Sequence, residues 1–234
     1  SGAGFGSVGR GARRAGGTES FGAAIASNAA SYGATGASSV AIGYQAKATN
    51  TYGVALGAGT QATNTNAFSA GYYSTASGLR STALGWDATA TASDSIAIGR
   101  DTDATSNESV ALGRYAQAAG QRAVSLGQSR ASGTDSFAAA IANNTSSYGA
   151  TGANSVAIGR QAKATGASAH AFGSSSVGNI ASGNNSFAIG TGATASATGS
   201  RAMGSSVTAD GYASIAKGAY ADVNGVQYRE TYGF

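Results

Sequence analysis

The sequence predicts an all-β protein built as a solenoid of 14-residue coils, and three observations predict it. Short segments alternate bulky apolar residues with tiny ones, these segments recur at a fixed spacing, and nearly all of them close on a glycine. Composition agrees. The 234 residues include 37 Gly and no Pro, only 10% are charged, and Ala, Ser and Thr fill much of the rest. Gly and β-branched residues weaken helices, whereas a disordered chain usually combines high net charge with few β-branched residues. What remains is a β architecture in which backbones approach closely.

The repeat governs the rest. Ser39-Val-Ala-Ile-Gly43, Gly53-Val-Ala-Leu-Gly57, Ser95-Ile-Ala-Ile-Gly99, Ser109-Val-Ala-Leu-Gly113 and Ser155-Val-Ala-Ile-Gly159 are variants of one motif. The closing glycines fall at 43, 57, 71, 85, 99, 113 and 127, then at 159 and 173, then at 190, 204 and 218. Two breaks are informative. Ser136 to Gly159 closely repeats Ser20 to Gly43, and each copy reads as a coil with a few extra residues bulging as a loop. A shorter excess lies between Gly173 and Gly190. The expected organisation is an irregular first coil at 1–19, a β-roll over 20–223 with insertions near 27–38, 143–154 and 177–184, and a tail or connector at 224–234.

With the closing Gly as position zero, positions −3 and −1 are mostly large and apolar: Val40/Ile42, Val54/Leu56, Ile96/Ile98, Val110/Leu112, Val124/Leu126, Val156/Ile158 and Phe187/Ile189, with Phe172 at −1 beside His170. Position −2 is always small, as at Ala41, Ala55, Ala83, Ala97, Ala111, Ala157 and Ala188. Period two marks a strand with one bulky and one tiny face. A second alternation follows, small at +3 and +5 and mostly polar or small at +4. Each unit thus holds two short strands joined by tight turns. So short a coil has no room for Val or Ile between its sheets, so the Ala rows form the interior and the Val/Ile/Leu rows face outward. A soluble monomer seldom exposes an apolar patch beyond a few hundred Å²; the stripe is therefore expected to be an interface between copies of the chain.

At these residues the sequence resembles the YadA-like head of the trimeric autotransporter adhesins, whose signature is a repeated Asn-Ser-Val-Ala-Ile-Gly. Asn154-Ser-Val-Ala-Ile-Gly159 matches it in full and Asn185-Ser-Phe-Ala-Ile-Gly190 at all but one residue. The resemblance implies a left-handed parallel β-roll, homotrimeric, on a bacterial surface. It also implies attachment to matrix proteins, such as collagen, or to a cell-surface glycan or receptor. Similar repeats occur in phage tail fibres, so a rigid fibre segment on a virion is the alternative, and an ice-binding solenoid a weaker one because Thr is not confined to one row. No heptad stalk, neck, membrane barrel or signal peptide is recognised, so an exported chain of this kind is expected to be part of a longer one. The insertions carry Tyr32, Thr35, Tyr148 and Thr151 beside Gly, and are the candidate ligand-contact loops, because loops on rigid scaffolds commonly carry function.

Little else suggests chemistry. The net charge of +4 comes from 14 basic and 10 acidic residues; Arg13-Arg14 is the sole adjacent basic pair, which is no nucleic-acid footprint. Without Cys there are no disulfides or thiolate sites. No apolar run reaches the ~18 residues of a membrane span. A lone His170 in the bulky row cannot build a His cluster and is expected to pack. Asp101, Asp103 and Glu108 lack a Ca²⁺-loop pattern and read as solvated turn charges. No Gly-x-Ser-x-Gly elbow comes with an acid and a well-placed His, and the Gly-x-Gly pieces follow the coil rhythm. The expectation is a non-enzymatic protein with no cofactor and no metal.

Overall fold

A computed structural model of the chain describes residues 8–9, 15–23, 32–140, 148–173, 178–218, 220–223 and 226–229. The described residues contain strands and turns and no helix. They fall into two compact units, 1–116 and 117–234. In each, two parallel sheets alternate along the chain, one short strand of each sheet per coil, which is a β-solenoid.

In the first unit, one sheet runs Val8–Gly9, Phe21–Ala23, Val40–Ile42, Val54–Leu56, Phe68–Ala70, Thr82–Leu84, Ile96–Ile98 and Val110–Leu112. The other runs Gly33–Ala34, Lys47–Ala48, Gln61–Ala62, Thr75–Ala76, Thr89–Ala90 and Asp103–Ala104. The second unit repeats the plan from Val124–Gly127 to Ile215–Gly218 and from Gln117–Ala118 to Thr208–Ala209. After these, Tyr220–Val223 pairs antiparallel with Val226–Arg229. This hairpin starts before residue 224, where the sequence placed a separate tail.

The space between the sheets is filled by small side chains. Ala41, Ala55, Ala83, Ala97, Ala111, Ala157 and Ala188 are fully buried or nearly so, as are Ala46, Ala48, Ala88, Ala90, Ala162 and Ala164 of the +3 and +5 rows. The largest fully buried side chains are Asn179, Thr60 and Thr102. Each buried methyl contributes ~0.8 kcal/mol, so stability comes from many small equal terms.

The turns explain the motif residue by residue. The closing Gly has φ between +107° and +138° at most coils, a region open essentially to Gly. At Gly85, a Cβ would also collide with the carbonyl oxygen of Gly99 in the next coil. The residue at −5 is left-handed: Asn154 has φ 55° and Asn185 φ 56°, which Asn tolerates better than most. Its N–H donates to the preceding coil, as in Asn154 N–H to Thr134 O at 2.7 Å. The buried Ser at −4 closes the same turn: Ser39 Oγ donates to Gly36 O at 2.6 Å and Ser81 Oγ to Gly78 O at 2.8 Å.

Pairing also shows coils that the glycine ladder hides. Val8 pairs with Phe21 and Val124 with Phe137, each step one position short of the regular coil. Phe21 pairs with Val40, Phe137 with Val156 and His170 with Phe187, and these steps are longer than the regular coil. The duplication therefore reaches back to Val8 and Val124. Every change of length falls at one turn, between the closing position and the +4 row. From Gly127 to Arg130 that turn is one position short, and before Gly149 and Ile180 it is long. The opposite turn keeps its length throughout, from Ala48 to Val54 as from Ala181 to Phe187. Of the insertions expected near 27–38, 143–154 and 177–184, residues 27–31, 143–147 and 177 lie outside the described residues.

Candidate functional site: the outward face and the variable turn

Because side chains at i and i+2 share a face, burial of the −2 Ala points −3 and −1 outward. Val40, Val54, Phe68, Thr82, Ile96 and Val110 stand in one ladder, and Ile42, Leu56, Ala70, Leu84, Ile98 and Leu112 in the next. The second unit carries Val124, Phe137, Val156, His170 and Phe187 in one ladder and Leu126, Ala139, Ile158, Phe172 and Ile189 in the other. Ile42, Ile98, Ile158 and Ile189 are 38–41% accessible in the single chain, and the other bulky members are half-buried against their ladder neighbours. The apolar run gives way to charge at Arg201 and Lys217.

His170 belongs to an aromatic cluster on this face. Its ring lies parallel to Phe172 at 6.3 Å and tilted against Phe187 at 6.4 Å, and the two Phe rings are 5.7 Å apart. His170, Phe187, Arg201 and Met203, with Ser168, Asn185 and Ser186, line an open depression of ≈ 450 Å³. Among the described residues no three His, Cys, Asp or Glu side chains are placed to hold a metal ion. Asp101 is paired with Arg100 at 3.0 Å, while Glu108 stands exposed at a left-handed turn.

The candidate loop residues are placed differently from the expectation. Tyr32 and Tyr148 are half-buried rather than exposed, and Tyr148 lies against Gly178. They directly precede Gly33–Ala34 and Gly149–Ala150, which lock into the second sheet, so each is held down where the long turn re-enters the coil. Thr35 and Thr151 directly follow those strands and are ordinary coil positions; Thr35 N–H donates to Ala48 O and Thr151 N–H to Ala164 O. The long coil from His170 to Phe187 is tied by Asn179, whose Nδ2 donates to Phe172 O at 3.0 Å and Gly190 O at 2.5 Å, while its Oδ1 accepts from Ala193 N–H.

One group was missed in the sequence. At positions +1 and +2 of the first unit, on the turn of variable length, stand Tyr44, Tyr72, Tyr73, Trp86, Arg100 and Tyr115. Tyr72 and Tyr73 meet edge to face at 4.4 Å, Arg100 lies 4.4 Å over the Trp86 ring, and Arg114 lies 4.5 Å over Tyr115. Hydrogen bonding with the neighbouring Tyr73 holds the Tyr72 phenol above the ordinary tyrosine value. The signal was present as aromatic and Arg residues at +1, recurring with the coil period from Tyr72 to Arg114, but it lies in turns, where alternation does not look.

The YadA head domain repeat family matches residues 34–60, 48–74, 62–88, 76–102, 104–129, 150–176 and 181–206, together more than half of the chain. The chain belongs to the YadA head family. Among curated proteins none matches it. The matched stretches break after 129 and resume at 150, where the YadA head coil is first shortened and then lengthened. A second break, from 177 to 180, falls at the long coil between His170 and Phe187. The YadA head is an adhesin-type domain and not an enzyme family.

Proposed function

We propose that the protein is the head of a trimeric surface adhesin, acting outside the cell by attaching to a host or matrix surface. The carrying observation is the outward apolar stripe, with Ile42, Ile98, Ile158 and Ile189 uncovered on a single chain. Burying an isoleucine side chain stabilises by ~1.5–3 kcal/mol, and in the resemblance to adhesin heads two further copies supply the cover around a three-fold axis. Val40, Val54, Leu56, Ile96, Val110, Leu112, Val124, Leu126, Val156, Phe172 and Phe187 complete that interface. The residues named for it are all apolar, so its affinity would come from area and shape. Sedimentation velocity at micromolar concentration tests the assembly, and retention on immobilised collagen or cultured cells tests attachment. A stable monomer overturns the reading.

A further inference from the structure

Five aromatic rings stand on the variable turn of the first unit, at Tyr44, Tyr72, Tyr73, Trp86 and Tyr115. The same turn of the second unit has Gln128, Arg160, Thr191 and Ser205. Nothing in the coil asks for rings there. The backbone of this turn is satisfied by its own ladder, in which Asp87 N–H donates to Tyr72 O at 2.8 Å and Asp101 N–H to Trp86 O at 2.9 Å. The +1 and +2 side chains make none of these backbone bonds, and Tyr44, Tyr72, Tyr73 and Trp86, each 44–51% accessible, are a group of rings in water that marks an interaction site.

We propose that this edge binds a linear, neutral glycan, which names the ligand class within the adhesin reading above and rests on it. Three observations select that chemistry. First, the rings form a file rather than a patch: Tyr44 stands two coils from Tyr72 and Tyr115 two from Trp86, while Tyr72 and Trp86 lie on adjacent coils and are thus separated by the parallel-strand spacing of ~4.8 Å. That is close to the advance of one sugar in an extended pyranose chain. The electron-rich faces of Tyr and Trp attract positively polarised groups, and the axial C–H face of a pyranose is such a surface. Second, the charges interleaved with the rings balance, with Arg100 and Arg114 against Asp87 and Asp101. A polyanion would meet as much repulsion as attraction. A sugar hydroxyl suits the Arg100–Asp101 pair because it accepts from the guanidinium and donates to the carboxylate at once. Third, the geometry is preset. Arg100 over the indole restrains Trp86 while leaving it 44% accessible, and the ring of Tyr73 lies across Gly59 of the preceding coil. Rigid rings lose little entropy on binding.

Trp86 is the single tryptophan of the chain, so its fluorescence reports on this edge alone. The whole chain is titrated with cellohexaose, with N-acetylchitohexaose and, as the charged comparison, with a heparin hexasaccharide. The expected result is a saturable change of Trp86 emission with a neutral hexasaccharide and a weaker one or none with the heparin fragment. By calorimetry, Trp86→Ala and Tyr72→Ala should each weaken binding at least tenfold, whereas Arg160→Ala on the second unit's turn leaves it unchanged. Absence of binding by both neutral sugars at millimolar concentration overturns the proposal. So does binding of the heparin fragment alone, or shielding of Trp86 from acrylamide in the free protein, which would make the edge a contact between copies. Sedimentation on the same samples separates the two ideas: a monomer that still binds sugar sinks the trimeric head and keeps the site, and a trimer without sugar binding does the reverse.

Discussion

The two units agree where the chain is enclosed and differ where it turns. Between the sheets, Ala83, Ala97 and Ala111 of the first unit correspond to Ala171, Ala188 and Ala202 of the second, all fully buried and in register. On the variable turn both units have coils of changed length, but the regular coils of the first unit from Val40 to Val110 bear rings there, while the second bears polar residues such as Gln128, Arg160 and Thr191. The reason is physical. An interior Ala is touched from both sheets and from the coils above and below, so it gives way only to small side chains such as Ser69, Ser125, Thr60 and Thr102. A turn side chain stands clear of that interior; its position asks for a backbone hydrogen bond and, at +2, a left-handed backbone, which residues as different as Tyr73, Asp87 and Ser206 supply. The interior specifies the coil, and the turn is left for recognition.

Single substitutions placed in matched pairs test how far this equivalence goes. Ile98→Asp and Ile189→Asp would each put carboxylates without partners into the proposed interface, where an uncompensated buried charge costs ~3–5 kcal/mol. Both variants should lose the trimer in sedimentation; if one remains assembled, the stripe of that unit is not an interface. Gly85→Ala and Gly190→Ala should each cost ~3 kcal/mol or more, from a disfavoured backbone region and a collision with the next coil's carbonyl. Equal losses in thermal melts would show that closing glycines are equivalent across the units, and a tolerated Ala at either would contradict the stacking. Ala97→Leu and Ala188→Leu should overpack the interior by ~1–3 kcal/mol. Lys47→Leu, on the outer face of the second sheet, should stay within ~0.5 kcal/mol; comparable melting shifts for all three would mean that inside and outside are exchanged.

The smallest effect concerns the exposed ion pairs. Arg80 holds Asp94 at 2.6 Å, and Arg122 holds Asp135 at 2.5 Å. In each, the hydrogen bond from Arg is the main cause that lowers the Asp pKa below its ordinary value. A depressed carboxylate stabilises the fold above its unfolded pKa, and the contribution is lost as pH falls through the folded pKa. Both pairs are open to solvent and contribute little. Carboxyl resonances followed by NMR should show both midpoints below the usual Asp range, and Asp94→Asn should barely move the melting temperature at neutral pH.

Much of the coil was legible in the sequence because its constraints are local and repeated. Tiny residues at −2 report the narrow interior, and the even spacing of closing glycines reports the length of one coil. The coil from Val124 to Phe137 was not legible because Ala140 stands where a closing Gly would be, which leaves the stretch from Gly127 to Gly159 with no marker. The half-burial of Tyr32 and Tyr148 was not legible because a ring beside Gly carries no sign of where the chain re-enters the sheet. The ring file was overlooked because turn positions carry no alternation, and only stacking of consecutive coils makes Tyr72, Trp86 and Arg100 neighbours.

The unequal treatment of the two turns has a consequence for how such a chain can change. At the turn from Ala48 to Val54, the described coils all use the same number of residues to hand one strand over to the next. An added residue there would rotate every later side chain to the wrong face. At the other turn the chain leaves one finished strand and re-enters at Gly33, Gly149 or Asn179 after any detour, and the phase is recovered at once. Residues gained or lost at that edge are thus silent downstream. New binding segments can be spliced in, lengthened or discarded on one side of the solenoid while the coils on either side remain in step.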